Sequence, residues 1–243
     1  MSRQITFSKS VPLAGLGAVL FAHFAARFGN VRGGPPSPFD APAGRIGDYF
    51  LEQSTFQSVS AYLYGLAAIC LIVFGAGMWR RLFDAAHEEA RSWAIVGLAG
   101  SAVYAVLLLL VGLMQLGLVG LVHRDGFSPE MVAALAILWA VAVTLLVPGS
   151  VPLLLGFGMA IRKSGAFSGL LANFALIGAV LGVLPPPEVV GPLSPFLGSL
   201  SFVLSEAQPW MLVFWMLGTA FVIRRSDRPV EDEDLELSEQ ATD

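Results

Sequence analysis

The chain has 243 residues, 56% of them hydrophobic and 13% charged, with a mean hydropathy of +0.72. A soluble domain carries roughly 25% charged residues, so this composition excludes an ordinary water-soluble globule and points to lipid as the solvent. The net charge of −4 is uneven, because eight of the 18 acidic residues follow residue 226; the rest is mildly basic, and without a basic stripe interleaved with aromatics nucleic acid is not an expected partner.

A hydropathy walk predicts six membrane helices, at about 11–28, 56–79, 93–122, 131–161, 166–184 and 207–223, each near the ~20 apolar residues a span needs. The first resembles a signal peptide, with Arg3 and Lys9 ahead of an apolar stretch, but no A-x-A cleavage site follows, so it is read as uncleaved. The fold class expected is all-α: a polytopic bundle of six transmembrane helices over residues 1–225, with a disordered acidic tail at 226–243. Ten of the 14 basic residues fall on one side of this arrangement, in the segment before span one, between spans two and three, and after spans four and six. The positive-inside rule then places both termini in the cytoplasm of a plasma-membrane protein. Trp79, Trp93 and Trp210 stand at interface positions.

The outer loops hold most of the prolines, as in "GGPPSPFDAP" and "PPPEVVGPLSP". Two short amphipathic helices are predicted there, lying on the outer face or covering the bundle. In "DAPAGRIGDYFLEQS", Ile46, Tyr49 and Phe50 share a face by i, i+3, i+4 spacing. In "SPFLGSLSFVLSE", Ser194 caps, Pro195 takes the first helical position, and Phe196, Leu197, Leu200, Val203 and Leu204 form one stripe. "STFQ" at 54–57 and "SEAQ" at 205–208 have capping-box spacing and mark the starts of spans two and six. On the inner side, "RRLFDAAHEEARSW" reads as a short solvated helix in which Asp84 and Glu88 pair with Arg80, Arg81 and Arg91. Spans three and four, about 30 residues or ~45 Å each, exceed a ~30 Å hydrocarbon core, so they must tilt, kink or project.

Span four carries the main candidate site. In "TLLVPGSVPLLLGFG", Pro148 removes the hydrogen bond that the Thr144 carbonyl would accept, and Pro152 does the same to the Pro148 carbonyl. Bared backbone oxygens at membrane depth hold a cation or ligand in broken transporter helices, and Ser150 is close enough to join them. The simpler reading is a kink whose carbonyls are met by hydroxyls or neighbouring helices. His23 and Arg27, one turn apart at the outer end of span one, are the second candidate, since ionisable groups in a membrane default to function; both can instead reach the interface. Cys70 is the single cysteine and the three histidines are scattered, so no metal site and no cofactor are expected. His87, Glu88 and Glu89 lack the second histidine of a metalloprotease helix. Gln115 and Asn173 are read as interhelical hydrogen-bonders, and the Gly178/Gly182 pair as internal packing.

The runs "YFLEQSTFQSVSAYLYGLA", "FGAGMWRRL", "GLAGSAVYAVLLLLVG" and "GMAIRKSGAFSGLLANFALIGAV" resemble a group of multi-span integral membrane proteins of actinobacteria and some archaea, of the domain-of-unknown-function kind. The resemblance covers about residues 40 to 225 and implies a multi-span helical fold, but no activity and no functional residue. The functional expectation is a non-enzymatic scaffold or accessory protein whose partners are the lipid bilayer and another membrane protein. The alternative is a small-molecule or ion transporter using the Pro148/Pro152 break. An enzyme would need clustered carboxylates or histidines that the spans lack.

Overall fold

The computed structural model describes residues 2–30, 34–85, 88–124, 126–184 and 195–226, and every regular element among them is a helix. In chain order these are α1 (Ser2–Gly29), α2 (Ala43–Glu52), α3 (Ser54–Ala85), α4 (Glu88–Val122), α5 (Pro129–Thr144), α6 (Leu146–Gly149), α7 (Val151–Ser164), α8 (Gly169–Val183) and α9 (Pro195–Ser226). Residues 227–243, the predicted disordered tail, lie outside the described residues.

The long helices pack as a closed ring in the order α1, α3, α4, α7, α8, α9 and back to α1. Each neighbouring pair is antiparallel. Gly29 of α1 meets Ser60 of α3 while Gly15 meets Phe74, and Gly112 of α4 meets Ala61 while Gly75 meets Ser101. Gly182 of α8 meets Val151 while Gly158 of α7 meets Ala175; Gly178 meets Met211 of α9 while Gly218 meets Leu171; Gly15 also meets Ala220. The centre is aromatic. The Trp215 indole stacks on Phe157 (6.1 Å, 18°) and takes the Phe74 ring edge-on (5.9 Å, 88°), and all three side chains are buried. The outside is a girdle of exposed aliphatic and aromatic side chains on the ring helices other than α7, for example Leu16, Ile69, Leu113, Val180 and Phe221.

Three helical stretches, Ser10–Gly29, Ser54–Asp84 and Glu88–Val122, are long and apolar enough to cross a membrane; the pair Pro129–Thr144 and Leu146–Ser164, bent by 40°, makes a fourth if it is one span. That is short of the six spans expected from the sequence. α8 has only 15 residues, about 22 Å of helix, and the apolar part of α9 shares its helix with the polar "SEAQP" segment.

Several boundaries differ from the sequence reading for identifiable reasons. "SEAQ" does not start a helix, because α9 runs unbroken from Pro195 to Ser226. The separate interfacial helix expected at 195–204 is therefore the first part of α9; the start at Pro195 stands as read. The "STFQ" box does start α3, but Gln57 leaves its own helix end to bond other helices. The inner loop is not a separate helix, since α3 runs to Ala85 and α4 opens at Glu88. Arg91 ties this hairpin instead: its Nε donates to the Phe83 carbonyl (3.0 Å) and its guanidinium lies 4.8 Å over the Phe83 ring. His87 lies outside the described residues.

α2 is amphipathic as expected. Ile46 and Phe50 are buried in a second core with Leu118 and Val122 of α4 and Val132 and Ala136 of α5. It packs as a roof over the end of the α4–α5 hairpin, and the second arm of that hairpin is bent by 40° between Thr144 and Leu146.

The closest approach in the ring is between α4 and α7. A Cβ on Gly156 would collide with the Gly97 backbone nitrogen, and one on Gly100 with the Leu153 nitrogen. Gly156→Ala is expected to cost about 1–3 kcal/mol through overpacking. Gly120→Ala, where a Cβ meets nothing within 4 Å, should stay within about 0.5 kcal/mol of the parent. Thermal unfolding in detergent followed by tryptophan fluorescence compares the two; equal melting temperatures would mean that the crossing relaxes freely.

Candidate functional site

The break in span four is centred one turn before Pro148. The last ladder bond ahead of it is Leu145 N–H to the Val141 carbonyl (3.0 Å), and the ladder resumes at Gly149 N–H to the Leu145 carbonyl (2.9 Å). Proline at 148 has no N–H, and its ring clashes with the carbonyl four residues back, that of Thr144. The chain responds by bending between Thr144 and Leu146. Leu145 and Ser150 both keep right-handed helical angles, so the two pieces are joined by a hinge and not by a loop.

The sequence-derived candidates do not converge. Thr144 and Pro148 are exposed on the outside of the ring, and the Thr144 hydroxyl donates to the Ala140 carbonyl (3.0 Å). Pro152 is half-buried and its backbone lies against Gly100. Ser150 alone faces inward and is fully buried. Its hydroxyl donates to the Val147 carbonyl (2.8 Å) and accepts from the Gln208 side-chain amide of α9. Gly182 of α8 closes the spot, since a Cβ there would meet Val151 and come within 3.3 Å of the Val147 carbonyl. The Ser150 hydroxyl thus bonds the Val147 carbonyl, which is not one of the two that the prolines free, those of Thr144 and Pro148. His23 is half-buried against Trp210 (5.9 Å) and Phe24 (6.2 Å) at the seam of α1 and α9, and Arg27 is exposed.

A second polar cluster, only partly foreseen, sits at the C-terminal end of α1. The Gly29 carbonyl accepts from the Gln57 amide (2.9 Å) and the Tyr49 hydroxyl (3.1 Å), while the Ser60 hydroxyl donates to the Ala25 carbonyl (2.8 Å). Gln115 donates to the Gln57 carbonyl oxygen, and Gln57 donates to Tyr49 (3.2 Å). Burial pushes the Tyr49 phenol up, with the Gln57 bond pulling the other way, so Tyr49 stays a protonated donor. The terminal carbonyls of a helix have no partner within it; here α2 and α3 cap α1, and Gln115 of α4 holds Gln57 and Ser60. Gln115 was legible as an interhelical donor, whereas Gln57 was hidden by its capping-box spacing.

Among the described carboxylates, Asp40 accepts from the Ser37 hydroxyl (3.0 Å) and Glu130 from Ser128; Asp125 and Glu188 lie outside the described residues. An open hollow of about 490 Å³ between α1 and α2 is lined by Asp40 and Arg45 among prolines and includes no residue of the break. Among the described residues no group of three His, Cys, Asp or Glu side chains could hold a metal ion. No family model, curated protein or solved structure matches the chain.

If Ser150 pins the hinge to α9, Ser150→Ala should cost about 1–3 kcal/mol, because it leaves the buried Gln208 amide without its acceptor. The double variant Ser150→Ala/Gln208→Leu should recover part of that loss, a coupling of at least about 0.5 kcal/mol. Denaturant unfolding of the four proteins measures it, and strict additivity would mean that the bond carries nothing.

Proposed function

We propose that the chain is a six-span integral membrane protein of the plasma membrane, with its basic helix ends inside, and that it acts as a scaffold or accessory subunit. Support for the spans comes from the ring itself. Its helices alternate in direction, and α8 and α9 carry the same exposed apolar side chains as the longer helices, among them Ile177, Val180, Phe214 and Phe221. Water would not tolerate a girdle of this extent. A short α8 is accommodated by local thinning of the bilayer or by flanking residues at modest cost.

The observation that carries the scaffold reading is the roofed outer end. The chain builds a second apolar core around α2 outside the ring, and that roof displays Phe39 (65% exposed), Met131 (58%) and Leu51 on its surface. Ordered apolar side chains beyond the lipid suit contact with another membrane protein. Inside the ring, the polar groups at the break are hydrogen-bonded to one another and the axis is filled by Trp215, Phe157 and Phe74. A transported solute would need both to move.

Photo-crosslinking side chains at Phe39, Leu51 and Met131 are expected to give discrete protein adducts in native membranes, while Val103 and Val180 capture only lipid. Roof positions that give no adduct would refute the scaffold reading. With Cys70 replaced by Ala, a cysteine at Ser150 should resist a small polar thiol reagent. Labelling there that a solute suppresses would move the transport reading ahead. Impermeant reagents applied to single cysteines at Ser37 and Ser164 should label from opposite sides of the membrane; labelling from the same side would rule out six spans.

A further inference from the structure

The antiparallel ring brings the basic helix ends together. Arg80 and Arg81 close α3, Arg91 opens α4, Arg162 and Lys163 close α7, and Arg224 lies near the end of α9. Contacts place them at one end of the molecule: Arg91 is bonded to Phe83, Lys163 Nζ to Glu89 Oε1 (2.9 Å), and Leu171, near the start of α8, lies against Gly218 of α9. These six basic residues face Asp84, Glu88 and Glu89 as the acidic residues of the same helix ends, so the end is net positive. Arg162, Lys163 and Arg224 are exposed. Ser226, the last residue of α9, stands at this same end. Beyond it lie 17 residues with eight acids, five of them within 231–236, and one arginine.

We propose that the acidic segment 231–236 docks on this basic end of its own chain and covers it. The reach suffices: five residues after Ser226 span up to about 17 Å and ten up to about 35 Å, while packed helices lie about 8–10 Å apart, so α7 is within range of α9. Tethering supplies the affinity that loose ionic contacts lack, since a short linker holds the segment at an effective concentration of order millimolar. Exposed charges are screened by salt, so the docking is reversible and needs no fixed fold of the segment. The covered end becomes available only when something more anionic competes for it.

The chain has two lysines, Lys9 and Lys163, the first in the opening turns of α1 and the second on the basic end. Zero-length carbodiimide coupling of the full chain in detergent, read by mass spectrometry, therefore maps the contact. A link between Glu89 and Lys163, already an ion pair, serves as the internal control. Expected at low ionic strength are links from Lys163 or Lys9 to carboxylates of 231–236, falling at least about tenfold near 1 M salt, where the Debye length is about 3 Å. Arg162→Gln/Arg224→Gln should cut the tail links several-fold while the Glu89–Lys163 link persists, which separates loss of docking from loss of fold. Coupling confined to Glu89, or tail links undiminished in the double variant, overturns the proposal. Mixing isotope-labelled and unlabelled chains guards the assignment: tail links of mixed mass would mean that a second copy supplies the segment, and would also overturn it.

Discussion

The contact on which the rest of the architecture depends is the backbone approach of α4 and α7 at Gly97, Gly100 and Gly156. Helices that pack in lipid have no hydrophobic drive to press them together, and close packing with hydrogen bonds takes its place. Where the side chains are hydrogen atoms, main chains touch over the whole crossing. Gly97 also supplies the floor on which the Phe157 ring lies, and Phe157 in turn carries the Trp215 indole. Widening the crossing by one methyl group would push the aromatic centre out of register, and with it the position of α9. Gly15 plays the same part on the opposite wall, where the Phe74 ring lies against it.

Two sets of polar residues complete what packing begins. At the C-terminal end of α1, Gln57, Ser60 and Tyr49 bind the carbonyls of α1, and Gln115 bonds Gln57 and Ser60, so that four helices are joined. In the outer half of the ring, Ser150 and Gln208 bind the kinked helix to α9. A buried donor or acceptor without a partner costs about 1–3 kcal/mol, so each set opposes sliding of one helix along the next. The aromatic centre is less demanding. Among the described residues the Trp215 indole nitrogen and the Thr219 hydroxyl have no hydrogen-bond partner.

Helices and their apolar character were legible in the sequence because hydropathy over 20 residues is a sum, insensitive to any single neighbour. The amphipathic α2, the start at Pro195 and the inward role of Gly178 and Gly182 followed from local spacing. What escaped was decided by partners far along the chain. S-x-x-Q spacing looks the same whether its glutamine turns back on its own helix end or reaches across to Gly29 or Ser150. Phe74, Phe157 and Trp215 are unremarked aromatics in three separate spans until the ring closes. The candidate residues at 144, 148, 150 and 152 were grouped by adjacency, but a helix turns 100° per residue, and they point to three different sides. The position of the bend, one turn before the proline and not at it, follows from a clash between residues four apart.

The ring has one more property, and it concerns the order in which the chain is made. α1 and α9 are neighbours in space but stand first and last among the described helices. During synthesis α1, α3, α4, α7 and α8 can associate as they emerge, yet they form an open crescent whose inner wall shows Phe74 and Phe157 without their partner. The crescent becomes a ring only when α9 arrives, sets Trp215 between the two phenylalanines and offers Gln208 to the waiting Ser150. Closure of the ring is thus a single late event, and a chain stalled before it presents an aromatic cleft and a Ser150 hydroxyl without its glutamine.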